Sequence, residues 1–154
     1  MDNTVIEDLP ETFQAIIEDF RLADKNERLE LLLEYAKELP PLPPHMQENT
    51  AEMEQVTECQ TPFFLASEVK DGKVTFYYDV PLEAPTTRGY ASILAQGLNG
   101  SSPQMVLKVP NTFYNWIGLG DIISPLRLRG VEGVLNRMKR QMATYLHANP
   151  QEAK

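Results

Sequence analysis

A chain of 154 residues suffices for one compact domain and is too short for two sizeable cores. Its 42% hydrophobic and 23% charged residues are the balance of a globular protein and not of a disordered one. With 14 Lys and Arg against 22 Asp and Glu, the formal net charge of −8 repels polyanions and argues against nucleic acid as a partner.

The N-terminus, MDNTVIEDLPETF, lacks the basic start and apolar core of a secretory signal. No run nears the ~20 apolar residues of a membrane span, so the expected location is the cytoplasm, where a thiol stays reduced. Phe13, Ile16, Ile17 and Phe20 recur at helical spacing, and after a polar break at Asp24 to Asn26 a second stripe follows with Leu29, Leu32, Leu33 and Ala36. Glu30, Glu34 and Glu38 fall at i, i+4 spacing, which reads as a solvated face. The second helix stops at Pro40, because four of the twelve prolines lie within residues 40–44, and an extended linker is expected from there to Cys59.

Residues 62–80 predict a hairpin closed by a type I′ turn at Asp71-Gly72. That turn sets Val69 opposite Val74, Ser67 opposite Phe76, Leu65 opposite Tyr78 and Phe63 opposite Val80, with one buried face and one wet face bearing Glu68, Thr75 and Asp79. A helix with Tyr90, Ile93, Leu94 and Leu98 follows Pro85, and short helices are expected to start at Ser102-Pro103 and at Asn111, the latter with Phe113, Trp116 and Ile117 as its stripe. Ser124-Pro125 opens a long last helix whose expected seam is Val131, Val134, Leu135, Met138, Met142 and Tyr145. The order predicts an α+β fold in which helices pack on a small antiparallel sheet. The domain is drawn over 5–148, with 149–154 as a disordered tail.

Charge is unevenly divided: residues 1–58 carry 4 basic and 15 acidic side chains, residues 59–154 carry 10 and 7. This reads first as solvated helix faces. A single cysteine and two distant histidines, His45 and His147, exclude an internal disulfide and any metal-ligand spacing, so neither a metal nor another cofactor is expected. Gly118-Leu119-Gly120 lacks the third glycine of a dinucleotide loop, and Gly100-Ser101-Ser102-Pro103-Gln104 fails the nucleophile elbow at its last position. Two residues stand out. Cys59 sits between a polar segment and an apolar strand, outside any apolar stripe, among acidic neighbours Glu52, Glu54 and Glu58 that discourage thiolate formation. Arg127, with Arg129, lies in the first turn of the last helix, where a cation opposes the helix dipole and points either to a surface salt bridge that outweighs the penalty or to an outside anion or partner. Arg137, Lys139 and Arg140 sit deeper in that helix, where the dipole alone accounts for them.

Four segments in order, LLLEYAKELPPLPP, V-x-E-C-Q-T-P-F-F-L, EAPTTRGYASIL and S-P-L-R-L-R-G, resemble the SufE family of sulfur-acceptor proteins over about residues 10–147. The resemblance implies that Cys59 takes sulfur as a persulfide from a SufS-like cysteine desulfurase, stimulates that enzyme and relays the sulfur to a downstream iron–sulfur scaffold. It also implies a monomer or weak homodimer. Cys59 and Gln60 match the family's Cys-Gln pair, and Arg127 matches the arginine of its [ST]-P-x-R-x-x-G motif. Glu83 falls where an acidic residue near the cysteine loop is expected. Gln60, Glu83 and Arg127 are thus supporting or partner-binding candidates. The family usually has Gly before the cysteine and Ser after the Gln, where this chain has Glu58 and Thr61. Phe63, Phe64 and Leu65 are expected to shield the thiol. The alternative from another class is an interaction module of the same fold that regulates a partner without carrying sulfur. A thioesterase using Cys59 as nucleophile lacks an identifiable base.

Overall fold

The computed structural model describes residues 3–48 and 50–153. Its helices are α1 (Asn3–Glu7), α2 (Glu11–Leu22), α3 (Lys25–Glu38), α4 (Pro44–Gln47), α5 (Pro85–Leu98), α6 (Pro103–Lys108) and α7 (Pro125–Ala148). Strands β1 (Glu54–Gln55), β2 (Phe64–Lys70) and β3 (Lys73–Asp79) form one antiparallel sheet in the order β1-β2-β3. The architecture is the expected α+β arrangement of helices on a small antiparallel sheet.

Local chemistry explains the boundaries. Asp24 caps α3 through a reciprocal capping box, its carboxylate accepting from Glu27 N–H at 2.9 Å while Glu27 accepts from Asp24 N–H at 3.3 Å. The hairpin closes on Asp71 and Gly72, both at positive φ (54° and 75°), as a type I′ turn demands. The register pairs Val69 with Val74, Ser67 with Phe76 and Leu65 with Tyr78, which buries Leu65, Val74, Phe76 and Tyr78 on one face. Ser102 and Ser124 cap α6 and α7 by accepting from Met105 and Arg127 N–H, each at 3.2 Å.

The core centres on α5, which is buried along nearly its whole length between α2, α3 and the sheet. The approach of α3 is so close that a Cβ at Gly89 would lie 2.5 Å from the Leu32 carbonyl oxygen. This explains the first departure from expectation. Leu32 and Ala36 are buried against α5, but Leu29 and Leu33 remain 41% and 37% exposed. Leu33 follows core-facing Leu32 by one residue, a rotation of about 100° away from the contact line, and Leu29 lies one turn before Leu33 on the same outer face.

The segment from Pro40 to Cys59 is not an extended linker. It contains α4, a 3₁₀ turn at Thr50–Glu52 and β1, anchored by buried Leu39, Met53 and Val56. A two-residue strand leaves no alternation to recognise, and its pairing with Phe64 and Leu65 is supplied by the hairpin. The helix expected at Asn111 is instead two 3₁₀ turns, Phe113–Asn115 and Leu119–Asp121, parted by Gly118 at φ 65°. Arg28, bonded to the Phe20 carbonyl at 2.8 Å and to Asp121 at 3.4 Å, occupies the space a side chain at 118 would need. The stripe residues Phe113, Trp116 and Ile117 are buried nonetheless. In α7, Leu146 takes the core position expected of Tyr145, whose hydroxyl bonds Glu152. The expected tail carries a 3₁₀ turn, Pro150–Glu152, whose Glu152 also accepts from Gln104. Among the described residues, no helix is long and apolar enough to cross a membrane.

Candidate functional site

Cys59 lies in the loop that joins β1 to β2. The ends of this loop are tied by Val56 N–H donating to the Phe63 carbonyl at 2.8 Å, and Cys59 N–H donates to the Val56 carbonyl at 3.2 Å, which folds residues 56–59 into a turn. The loop rests on the first turns of α7. There, two glycines remove the side chains that would hold it off: a Cβ at Gly130 would lie 3.0 Å from the Cys59 Sγ, and one at Gly133 would lie 2.8 Å from the Glu58 Cβ.

The half-buried Sγ faces Tyr90 on α5, whose hydroxyl is 3.1 Å away. Tyr90 is itself buried, with its ring stacked on Phe63 at 6.3 Å between centroids and 5° between planes. Thr61 donates to the Thr87 hydroxyl at 3.5 Å, closing a short polar run beneath the loop. A cavity of about 110 Å³ opens beside the sulfur, and its lining includes Cys59, Gln60, Thr61, Tyr90, Leu126 and Arg127. A wider surface cleft, about 720 Å³, lies elsewhere between α3 and the start of α5, and no cysteine lines it.

Burial raises the Cys59 pKa above the ordinary thiol value and is the largest influence. The Tyr90 hydroxyl pulls it down by hydrogen bonding, Glu58 raises it and Arg137 lowers it. The resting group is therefore a protonated thiol at neutral pH, as the acidic neighbours led one to expect, although burial contributes more than their charge. Glu58 itself stays below the ordinary carboxylate range because the Arg137 guanidinium bonds it.

Arg127, exposed in the first turn of α7, lines the same cavity as Cys59, as does exposed Gln60. Glu83 is exposed on the turn closed by Ala84 N–H donating to Pro81, and does not line this cavity. Phe63, Phe64 and Leu65 do not line it either: Phe63 and Leu65 are fully buried in the core, and the groups against the sulfur are Tyr90 and Gly130. His45 pairs with Glu68 at 2.9 Å and does not line the cavity beside the thiol, and His147 is exposed in the last turn of α7. Among the described residues, no three His, Cys, Asp or Glu side chains gather as a metal site.

Two residues at the site escaped the reading of the sequence. Tyr90 sits in an apolar stripe, so its ring was foreseen in the core, but its hydroxyl was not foreseen against the sulfur. Arg137 is more than a dipole-favoured cation. It donates to Glu58 at 2.6 and 3.3 Å, to Glu54 at 2.7 Å and to Thr57 at 3.1 Å, all in the segment leading to Cys59. The available signal was the pair Glu54 and Glu58 just ahead of the lone cysteine, two like charges that call for a cation.

The model of the family described as SufE, Fe-S metabolism associated domain, matches residues 14–142. An uncharacterized SufE-like protein of Mycobacterium tuberculosis is 46% identical over 135 residues, covering 87% of this chain and 93% of the relative. A protein of Plasmodium vivax named cysteine desulfuration protein SufE is 28% identical over 83 residues, 53% of this chain and 34% of its own length. The solution structure of a hypothetical protein from Thermus thermophilus superposes with a TM-score of 0.80 at 44% identity, covering 90% of this chain and 98% of that one. The family match spans α3 to α6, the hairpin and the cysteine loop alike, and with the Mycobacterium and Thermus proteins similar along nearly their whole length the chain belongs to the SufE family.

Proposed function

We propose that this protein accepts sulfur from a cysteine desulfurase onto Cys59, stimulates that enzyme by drawing off its product, and passes the sulfur on to iron–sulfur cluster assembly. The observation that carries the proposal is the setting of the chain's only thiol: Cys59 is held at the tip of a tied loop, beside a small cavity that Arg127 also lines. A single thiol suffices for the chemistry. The Cys59 thiolate attacks the outer sulfur of the donor's persulfide, a new S–S bond forms at Cys59, and the donor's S–S bond breaks. The donor cysteine leaves as a thiolate, and the proton shed by Cys59 goes to it or to water. The Tyr90 hydroxyl is placed to donate to the thiolate before attack, and the cavity is large enough for a second sulfur. Arg127 and Gln60, at the cavity, are assigned to the donor contact. Glu83, on a separate exposed turn, is assigned to the partner surface.

The test is intact-mass measurement after incubation with a cysteine desulfurase and cysteine. The expected result is one added sulfur that a reductant removes and that alkylation of Cys59 prevents. Cys59→Ser should fold normally, gain nothing and no longer stimulate the desulfurase. Full stimulation by that variant would favour a regulator that carries no sulfur.

A further inference from the structure

We infer that Arg137 is a latch: a positioning residue that keeps the Cys59 loop docked on α7 in the resting protein and releases Glu58 when the thiol meets a donor. Its purpose rests on the sulfur-acceptor reading, whereas the docking itself is a property of the isolated chain. The partners that the Arg137 guanidinium bonds, Glu54, Thr57 and Glu58, all belong to the run of chain just before Cys59. Two of its nitrogens face both oxygens of Glu58, a planar fork that lysine cannot reproduce. Neighbouring groups strengthen the grip at the β1 end, where Gln141 donates to Glu54 at 3.0 Å and Arg140 lies 3.8 Å from it.

Beyond Arg137, side-chain bonds between residues 57–62 and the helices come only from Cys59 to Tyr90 and from Thr61 to Thr87 at 3.5 Å, among the described residues. The docked sulfur is half-buried, with the Tyr90 hydroxyl 3.1 Å away and Gly130 against it, so lifting the loop exposes it further to a donor sulfur held on another protein. The tie between Val56 and Phe63 forms a natural pivot. Glu58 lies on Gly133 with no side chain between them and can leave without moving the helix. The side chain of Arg137 is only 15% exposed but that of Glu58 is 39% exposed, so water can replace Glu58's half of the pair.

The test measures the rate at which a small neutral reagent, iodoacetamide, alkylates Cys59 in the full-length chain, followed by intact mass. Arg137→Ala should react about tenfold faster than the parent, the net worth of about one charge-assisted hydrogen bond once the exposed part of the network is discounted for solvent screening. The direction is diagnostic. Arg137 favours the thiolate by its charge, so its removal from a loop that stays docked would slow the reaction. Arg137→Lys should fall between the two, since it keeps the charge and loses the fork. Added salt should speed the parent and leave Arg137→Ala unchanged, because only the parent has the ion pair to screen. The faster rate should also be independent of sub-denaturing urea, as local opening is and global unfolding is not. If Arg137→Ala fails to fold, Arg137→Gln, which keeps most of the stem, takes its place in every measurement. A rate at or below the parent's, or one that climbs with urea along the global slope, overturns the latch. Alkylation needs no partner, so its outcome is separate from whether a desulfurase loads Cys59.

Discussion

Gly130→Ala adds one methyl at the point where the loop, α5 and α7 meet. Its carbon would stand 3.0 Å from the Cys59 Sγ, 3.1 Å from the Tyr90 hydroxyl and 3.6 Å from the Cys59 Cα. Comfortable contacts run to about 3.5–4.0 Å, so sulfur and hydroxyl must each give way by roughly half an ångström. Overpacking of this kind costs about 1–3 kcal/mol. Alanine in a helix interior regains about 0.8–1.0 kcal/mol over glycine. The net loss is therefore about 0–2 kcal/mol, and at about 2–4 °C per kcal/mol for a domain of this size the melting temperature falls by less than about 8 °C. The larger effect is on sulfur uptake. A methyl group takes up about the room of a sulfur atom, and the cavity beside Cys59 is only about 110 Å³. Gly130→Ala should therefore remain folded yet load little sulfur, and what it loads should be lost sooner to reductant. Thermal melts with desulfurase loading followed by mass measure both quantities on one preparation. A variant that melts above the parent and loads sulfur to the same extent and lifetime would refute the packing of Cys59 against Gly130 and the role of this cavity.

Tyr90→Phe removes the hydroxyl beside the thiol, and since that hydrogen bond lowers the Cys59 pKa, the midpoint of the alkylation-against-pH curve should move further up; an unmoved midpoint would show the bond to be absent in solution. Arg127→Ala should leave the melting temperature nearly unchanged and weaken sulfur loading several-fold, with Arg127→Lys restoring part of it. A lowered melting temperature with intact loading would make Arg127 a structural residue. Because Arg137 holds the folded-state pKa of Glu58 below its unfolded value, their pairing stabilises the protein above the ordinary carboxylate range and is lost as pH falls through the depressed value. The melting-temperature gap between the parent and Arg137→Ala, present at pH 7, should thus narrow progressively as pH is lowered from the ordinary carboxylate range, and a gap that stays constant on acidification would show that Arg137 acts through packing instead.

The hairpin was readable residue by residue from its own segment. Asp71-Gly72 permits a turn of one hand, and a period of two then assigns every side chain to a face, which is why Leu65 and Tyr78 meet as foreseen. The helix starts at Ser102 and Ser124 were readable for the same reason, since a cap satisfies backbone donors within three residues of itself. Cys59, Gln60 and Arg127 stood out by residue type and motif. What surrounds them did not, because it depends on contacts between distant segments. The two residues of β1 have no pattern until β2 pairs with them. Leu33 belongs to an apolar stripe and stays exposed because α5 meets α3 along one line only. Tyr90 reaches the sulfur across 31 positions, and Arg137 reaches Glu58 across 79. Local rules of capping, turn geometry and periodicity act over a few residues and leave a trace in the sequence. The environment of the thiol is built from a loop and two helices that meet only on folding, and Gly130 and Gly133 gain their meaning when that loop settles on them.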